Sequence, residues 1–216
     1  LEGKQGDVFL DGRMGLSVTL DQFHGIEINE WSSQIAVVAL YLADHQANLE
    51  MEEVTGFSPN AFPLSKNAGI THGNALTIAW DSVCPISQKT FIMGNPPFLG
   101  SLMITEEQRE ETRAIWRNNK RTGLVDFVTN WFLIAGRYVS STGCKAAFVS
   151  TNSITQGEQP ALIWGELGEL NVAIFFAHRP FSWSNEAKGK AAVHVVIVGL
   201  AQGPLRGPRS LWTYPT

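Results

Sequence analysis

The stretch 144-CKAAFVST-151 is an apolar run of Ala, Phe and Val without the strict in-and-out alternation of a half-exposed strand. Such a run is expected of a strand covered on both faces, as in α/β proteins. Two more follow, 171-NVAIFFAH-178 and 191-AAVHVVIVGLA-201. Upstream, "FHGIEI" (23–28), "ALTIAW" (75–80) and "FIMGN" (91–95) read as shorter strands. Helical patterns lie between them. In 29–50 the apolar positions Ile35, Val38, Ala39, Leu42 and Ala43 recur at helical spacing. In 105–119, Thr105 with Gln108 three residues later is a capping-box start, and a further helix is predicted over Val125–Val139. The segment Val54–His72, rich in Pro, Gly, Ser and Asn, is predicted to be a loop. Strands alternating with helices predict an α/β layered fold with a mostly parallel sheet. Only twelve residues, "RPFSWSNEAKGK" (179–190), separate the last two runs, too few for a crossover helix, so these are predicted to be an antiparallel pair at one edge.

Composition narrows the function. The 216 residues are 44% hydrophobic and 17% charged, ordinary for a globular domain, with no apolar run near the ~20 residues that cross a bilayer. A chain of this length buries about 70% of its unfolded surface around one core. No repeat, low-complexity tract or internal boundary stands out, so 1–216 is expected to be one domain. Cys84 and Cys144 are 60 positions apart, without a Cys-x-x-Cys pair or a histidine at ligand spacing. Neither a disulfide framework nor a metal site is expected, and a reducing cytoplasm fits best. The net charge of −4 argues against a surface built mainly for phosphate. Any nucleic-acid partner is expected to be held by a local patch or by another part of a longer protein.

Ligands in a parallel sheet sit beyond the carboxyl ends of the strands, and Asn95-Pro96-Pro97-Phe98 falls there. Two prolines fix φ and remove two N–H donors, leaving the Asn95 side-chain oxygen and the Pro96 carbonyl as acceptors in a stiff frame. Such a pair can hold an –NH₂ group by both hydrogens. That turns the nitrogen lone pair away from its ring and towards an electrophile, while Phe98 offers a flat face for stacking. The alternative is an ordinary Asn-Pro-Pro turn, which strand-end placement disfavours.

The sequence resembles a family here. Asn-Pro-Pro-aromatic ending the fourth strand is the hallmark of methyltransferases that act on planar amino or amide nitrogens. Together with "FHGIEINEWSSQIAVVALYLADHQ", "HGNAL", "AAFVSTNSITQGEQ" and "FSWSNEAKGKAAVHVVIVG", it looks like the large bacterial DNA adenine methyltransferases of restriction-modification systems, including the MmeI-like group. The resemblance spans roughly residues 20–201. It implies a Rossmann-like methyltransferase fold and S-adenosylmethionine as cofactor, with double-stranded DNA as partner through the full-length protein. Catalysis would rest on Asn95, Pro96, Pro97 and Phe98. By the same resemblance Glu27 matches the acid that binds the cofactor ribose, and Asn74, with Asp81 as the nearby alternative, stands where a residue contacts the cofactor adenine. Asp126 would line the cofactor pocket. Phe181 or Trp183 would face the target base, and Lys188 would meet phosphate, with Lys190, Arg113, Arg117, Lys120 and Arg121 as weaker candidates. The family's Gly-rich cofactor loop has no counterpart, since no Gly-x-Gly occurs in the sequence. The chain is therefore expected to be a central fragment, inactive alone, whose first strand and Gly-rich loop lie upstream and whose target-recognition region lies downstream.

Two rival functions remain open at the level of sequence. One is a methyltransferase acting on cytosine N4, RNA or a protein glutamine. The other, of a different class, is a non-catalytic DNA-binding or assembly fragment.

Overall fold

The computed structural model describes residues 18–56, 68–117, 121–183 and 193–214. The chain divides into two compact units, Leu1–Pro85 and Ile86–Thr216, where the sequence suggested no boundary.

In the first unit, strands β1 (His24–Glu27) and β2 (Gly69–His72) pair in parallel, with Glu27 opposite His72. Helix α1 (Glu30–Thr55) connects to β1 through Asn29, whose Oδ1 accepts the Ser32 N–H at 3.0 Å and so satisfies one of the orphan donors of the first turn. The expected strand "ALTIAW" is corrected: the strand is "GITH", taken from the end of the expected loop. The cause lies in Asn74. Its Oδ1 accepts the Leu76 N–H at 2.8 Å and its carbonyl accepts the N–H groups of Thr77 and Ile78, both at 3.0 Å. These local bonds outcompete extension. The short helix α2 (Trp80–Val83) follows, with the Trp80 indole donating to the Ala75 carbonyl at 2.7 Å.

The second unit holds β3 (Phe91–Gly94), β4 (Lys145–Thr151), β5 (Val172–Trp183), β6 (Val193–Gln202) and β7 (Ser210–Trp212), in the sheet order β3-β4-β6-β5-β7. β3 and β4 are parallel, β6 is antiparallel to both β4 and β5, and β7 is parallel to β5. Among the described strands of this sheet only β6 is reversed, so the carboxyl ends of β3, β4 and β5 share one edge. The expected antiparallel pair is present, but it is not at the edge: β7 covers β5. Three residues, "SLW", after a Pro- and Gly-rich stretch carry too little pattern to announce a strand.

Helices α3 (Glu106–Ile115), α4 (Thr129–Thr142) and α5 (Gln159–Glu169) complete the unit. α3 begins on the predicted capping box, with the Gln108 N–H donating to Thr105 Oγ1 at 3.2 Å and the Thr105 N–H to Gln108 Oε1 at 2.9 Å. α4 starts four residues later than predicted, because the Asp126 carbonyl accepts both the Thr129 N–H (3.0 Å) and its hydroxyl (2.7 Å). The core lies between the sheet and these helices. Phe132 of α4 is fully buried and meets Phe148 of β4 edge-on, with centroids 5.2 Å apart, and Trp164 of α5 at 6.0 Å. Each such pair adds about 0.5–1.5 kcal/mol to simple burial. Gly136 on α4 lets α5 come close, since a Cβ there would collide with the Leu167 side chain. Burial also pushes the Cys144 thiol above its ordinary range.

A polar seam joins α3 to α4. The Trp116 indole donates to Asn130 Oδ1 at 3.0 Å, the Asn130 amide to Thr112 Oγ1 at 2.9 Å, and the Thr112 hydroxyl to the Gln108 carbonyl at 2.8 Å. Arg137 donates to the Ile115 carbonyl at the end of α3. Burial, and then the like charge of Arg117, pull the Arg137 pKa below its usual value against the opposing pull of Glu166.

Candidate active site

In the first unit the candidate residues gather at the carboxyl end of the β1–β2 ribbon. The Glu27 carbonyl accepts the Gly73 N–H at 2.8 Å, which ties the chain leaving β2 to the end of β1. Glu27 Oε1 accepts the Asn29 N–H at 2.9 Å. A carboxylate has about four lone-pair sites, so this one bond orients the group and leaves acceptor capacity for hydroxyls. Asn74 stands at the same end, beyond His72, with its side-chain oxygen turned onto Leu76. Asp81 is exposed in the first turn of α2.

In the second unit, Gly94 of β3 stands opposite Phe148 of β4, and the chain then leaves the sheet as Asn95-Pro96-Pro97-Phe98. Pro96 is buried, Asn95 and Pro97 are exposed, and Phe98 is half-buried. The Pro97 carbonyl accepts the Leu99 N–H at 3.2 Å, and the Leu99 carbonyl accepts the Phe127 N–H at 3.0 Å. Among the described residues, neither the Asn95 carboxamide nor the Pro96 carbonyl has a hydrogen-bond partner, although their neighbours do.

Asp126, adjoining Phe127, is only 8% exposed. Its Oδ2 accepts the Ser153 hydroxyl, and its N–H donates to Gln159 Oε1 at 3.1 Å. The Ser153 hydroxyl also shares a hydrogen bond with Thr151 Oγ1 at 2.5 Å. The string "STNSITQGEQ" carries these partners, yet only their positions in three dimensions reveal them. Ser150, one residue earlier, is fully buried, and its hydroxyl has no partner among the described residues.

Phe181 lies opposite Val195, which lies opposite Thr151, so it is level with the same edge. It sits on β5, however, three strand spacings or roughly 14 Å from β3. Its ring packs on Tyr214 with centroids 4.9 Å apart, and Tyr214 in turn holds His178 Nδ1 at 2.6 Å. Trp183 ends β5, opposite Val193. Lys188, Lys190 and Lys120 lie outside the described residues. Arg113 is committed to a surface ion pair with Glu106 at 3.0 Å. Among the described residues no group of His, Cys, Asp or Glu is placed to hold a metal ion, and no helix is long and apolar enough to cross a membrane.

The family model of the MmeI DNA-methyltransferase domain matches residues 5–213, across both units. The chain belongs to this family. It is 42% identical over 192 residues to DNA methyltransferase A of Bacillus subtilis (strain 168), covering 88% of this chain and 22% of that protein. The type IIL restriction-modification enzyme MmeI, solved in complex with DNA, superposes with a TM-score of 0.87 at 40% identity, over 98% of this chain and 28% of that one. The chain thus spans about a quarter of the length of these relatives. The match to an MmeI methyltransferase structure bears out the Rossmann-like methyltransferase fold.

Proposed function

We propose that this chain forms the central part of the catalytic domain of an S-adenosylmethionine-dependent DNA methyltransferase. The group modified is the N6 amino group of adenine in double-stranded DNA, within a cytoplasmic restriction-modification system. One observation carries this proposal: the Asn95 carboxamide and the Pro96 carbonyl stand unengaged at a strand end beside Phe98, in a chain of a DNA-methyltransferase family.

Two acceptors suit the two hydrogens of an exocyclic amine. Accepting both draws the nitrogen lone pair out of conjugation, and the prolines keep the acceptors from collapsing onto backbone donors. Phe98 supplies a stacking face for a base extruded from the duplex. Glu27 and Asn74, both oxygen acceptors at one end of the β1–β2 ribbon, fit the ribose hydroxyls and adenine amine of S-adenosylmethionine. The cofactor supplies an electrophilic methyl group when bound. The residues of this chain orient the acceptor nitrogen, and no covalent enzyme intermediate is required.

The test is a radiolabelled-methyl assay on the protein that carries this domain, with duplex DNA, RNA and protein as substrates, followed by nucleoside analysis. Label in N6-methyladenine is expected. Label in N4-methylcytosine, RNA or glutamine instead, or none in any substrate, would overturn the assignment.

A further inference from the structure

We propose that Asp126 is a positioning residue, which fixes the exit of the Asn95–Phe98 loop through Ser153. This rests on the catalytic role given to that loop above. Pro96 and Pro97 cannot donate hydrogen bonds, so the middle of the motif has no backbone donor with which to hold itself in place. The next groups in the chain do that work. The Leu99 carbonyl is held by the N–H of Phe127, the neighbour of Asp126, at 3.0 Å. The backbone at Gly100 runs beside the carboxylate, since a Cβ there would lie 3.8 Å from Asp126 Oδ1. The position of residues 126 and 127 therefore sets the position of residues 99 and 100.

What holds Asp126 is equally specific. Its Oδ2 takes the Ser153 hydroxyl, its N–H goes to Gln159 at the start of α5, and its carbonyl caps α4 through Thr129. Ser153 is itself tied to Thr151 at the end of β4. Asp126 thus joins the turn after β4 through its carboxylate and the starts of two helices through its backbone, beside the loop after β3. A hydrogen bond to a carboxylate is roughly twice as strong as a neutral one, and the tie stands one residue from the loop anchor. Asp126, expected from sequence to line the cofactor pocket, acts in this proposal without touching the cofactor.

The experiment uses Ser153→Ala, Asp126→Ala, Asp126→Asn and the Ser153→Ala/Asp126→Ala double variant in the protein that carries this domain. Hydrogen exchange is followed at the Phe127 amide and in residues 99–103, alongside cofactor affinity and kcat. Both alanine variants are expected to raise exchange there at least tenfold. They should lower kcat by about 10- to 100-fold, the scale of a misplacement of about 1 Å, with cofactor Kd changed less than threefold. The double variant should be no worse than Asp126→Ala alone, because the two residues act as one unit. Asp126→Asn keeps an oxygen for Ser153 and should restore most of both properties. Unchanged exchange in Ser153→Ala would overturn the proposal. So would a tenfold loss of cofactor affinity in Asp126→Ala with Ser153→Ala unaffected, which would make Asp126 a cofactor ligand. Should Asp126→Ala fail to fold, Ser153→Ala and Asp126→Asn decide by the same criteria. If the wild type methylates no substrate, the catalytic assignment falls, while the exchange measurement still decides the clamp.

Discussion

Asn95 and Phe98 carry different parts of the proposed chemistry, and substitution separates them. Asn95→Ala removes an acceptor that matters when the amino nitrogen is activated. Methyl transfer should fall by orders of magnitude while cofactor affinity, measured by titration calorimetry, stays close to wild type. A parallel loss of both would make Asn95 a cofactor ligand or a turn residue. In the proposed function Phe98 acts through its ring. Base stacking is worth about 1–3 kcal/mol, so Phe98→Tyr or Trp should keep substantial activity and Phe98→Ala should lose most of it. A mismatch opposite the target lowers the cost of extrusion and should partly rescue the alanine variant. Ser150 gives a prediction of the opposite kind, a gain. Its buried hydroxyl lacks a partner among the described residues, an arrangement that costs about 1–3 kcal/mol. Ser150→Ala should therefore raise the thermal midpoint, and a fall would reveal a partner for that hydroxyl.

At the scale of elements, α4 does two jobs. Its first turn is capped by the Asp126 carbonyl, and its middle carries Phe132 into the core between β4 and α5. Phe132→Ala should cost about 3–5 kcal/mol, a large share of the 5–15 kcal/mol that holds a typical domain. Urea unfolding of the second unit should show it as a lowered midpoint with little change in slope, whereas Phe132→Leu should cost far less. α1 is a different case. Trp31, Ile35, Val38, Leu42 and Leu49 form one stripe at spacings of four, three, four and seven, yet all are at least half exposed. The spacing of Ile35, Val38, Ala39, Leu42 and Ala43 made the helix legible. It did not reveal that these side chains would be exposed among the described residues, because periodicity reports which face is apolar and not what lies against it.

For the molecule as a whole, the missing Gly-x-Gly and the short span relative to its relatives lead to one expectation. Residues 1–216 alone should bind S-adenosylmethionine weakly, because in the proposed function Glu27 and Asn74 supply only part of the pocket. Micromolar affinity in a calorimetric titration of this chain would contradict that expectation. The sequence by itself determined the α/β class, the positions of β1, β3, β4 and β6, and the start of α3 at Thr105, since these depend on local pattern and local capping. It also singled out Asn95-Pro96-Pro97-Phe98, because two prolines at a strand end leave a distinctive pair of acceptors. It misplaced β2, where the side chain and carbonyl of Asn74 fold the "ALTIAW" stretch into a turn. Only tertiary structure decided that β7 covers β5, that Phe181 packs on Tyr214, and that Asp126 reaches Ser153 and Gln159. Those contacts join residues 27 to 33 positions apart or more. Such pairings follow from how strands are ordered and helices packed, and a run of neighbouring residues carries no period or cap that encodes them.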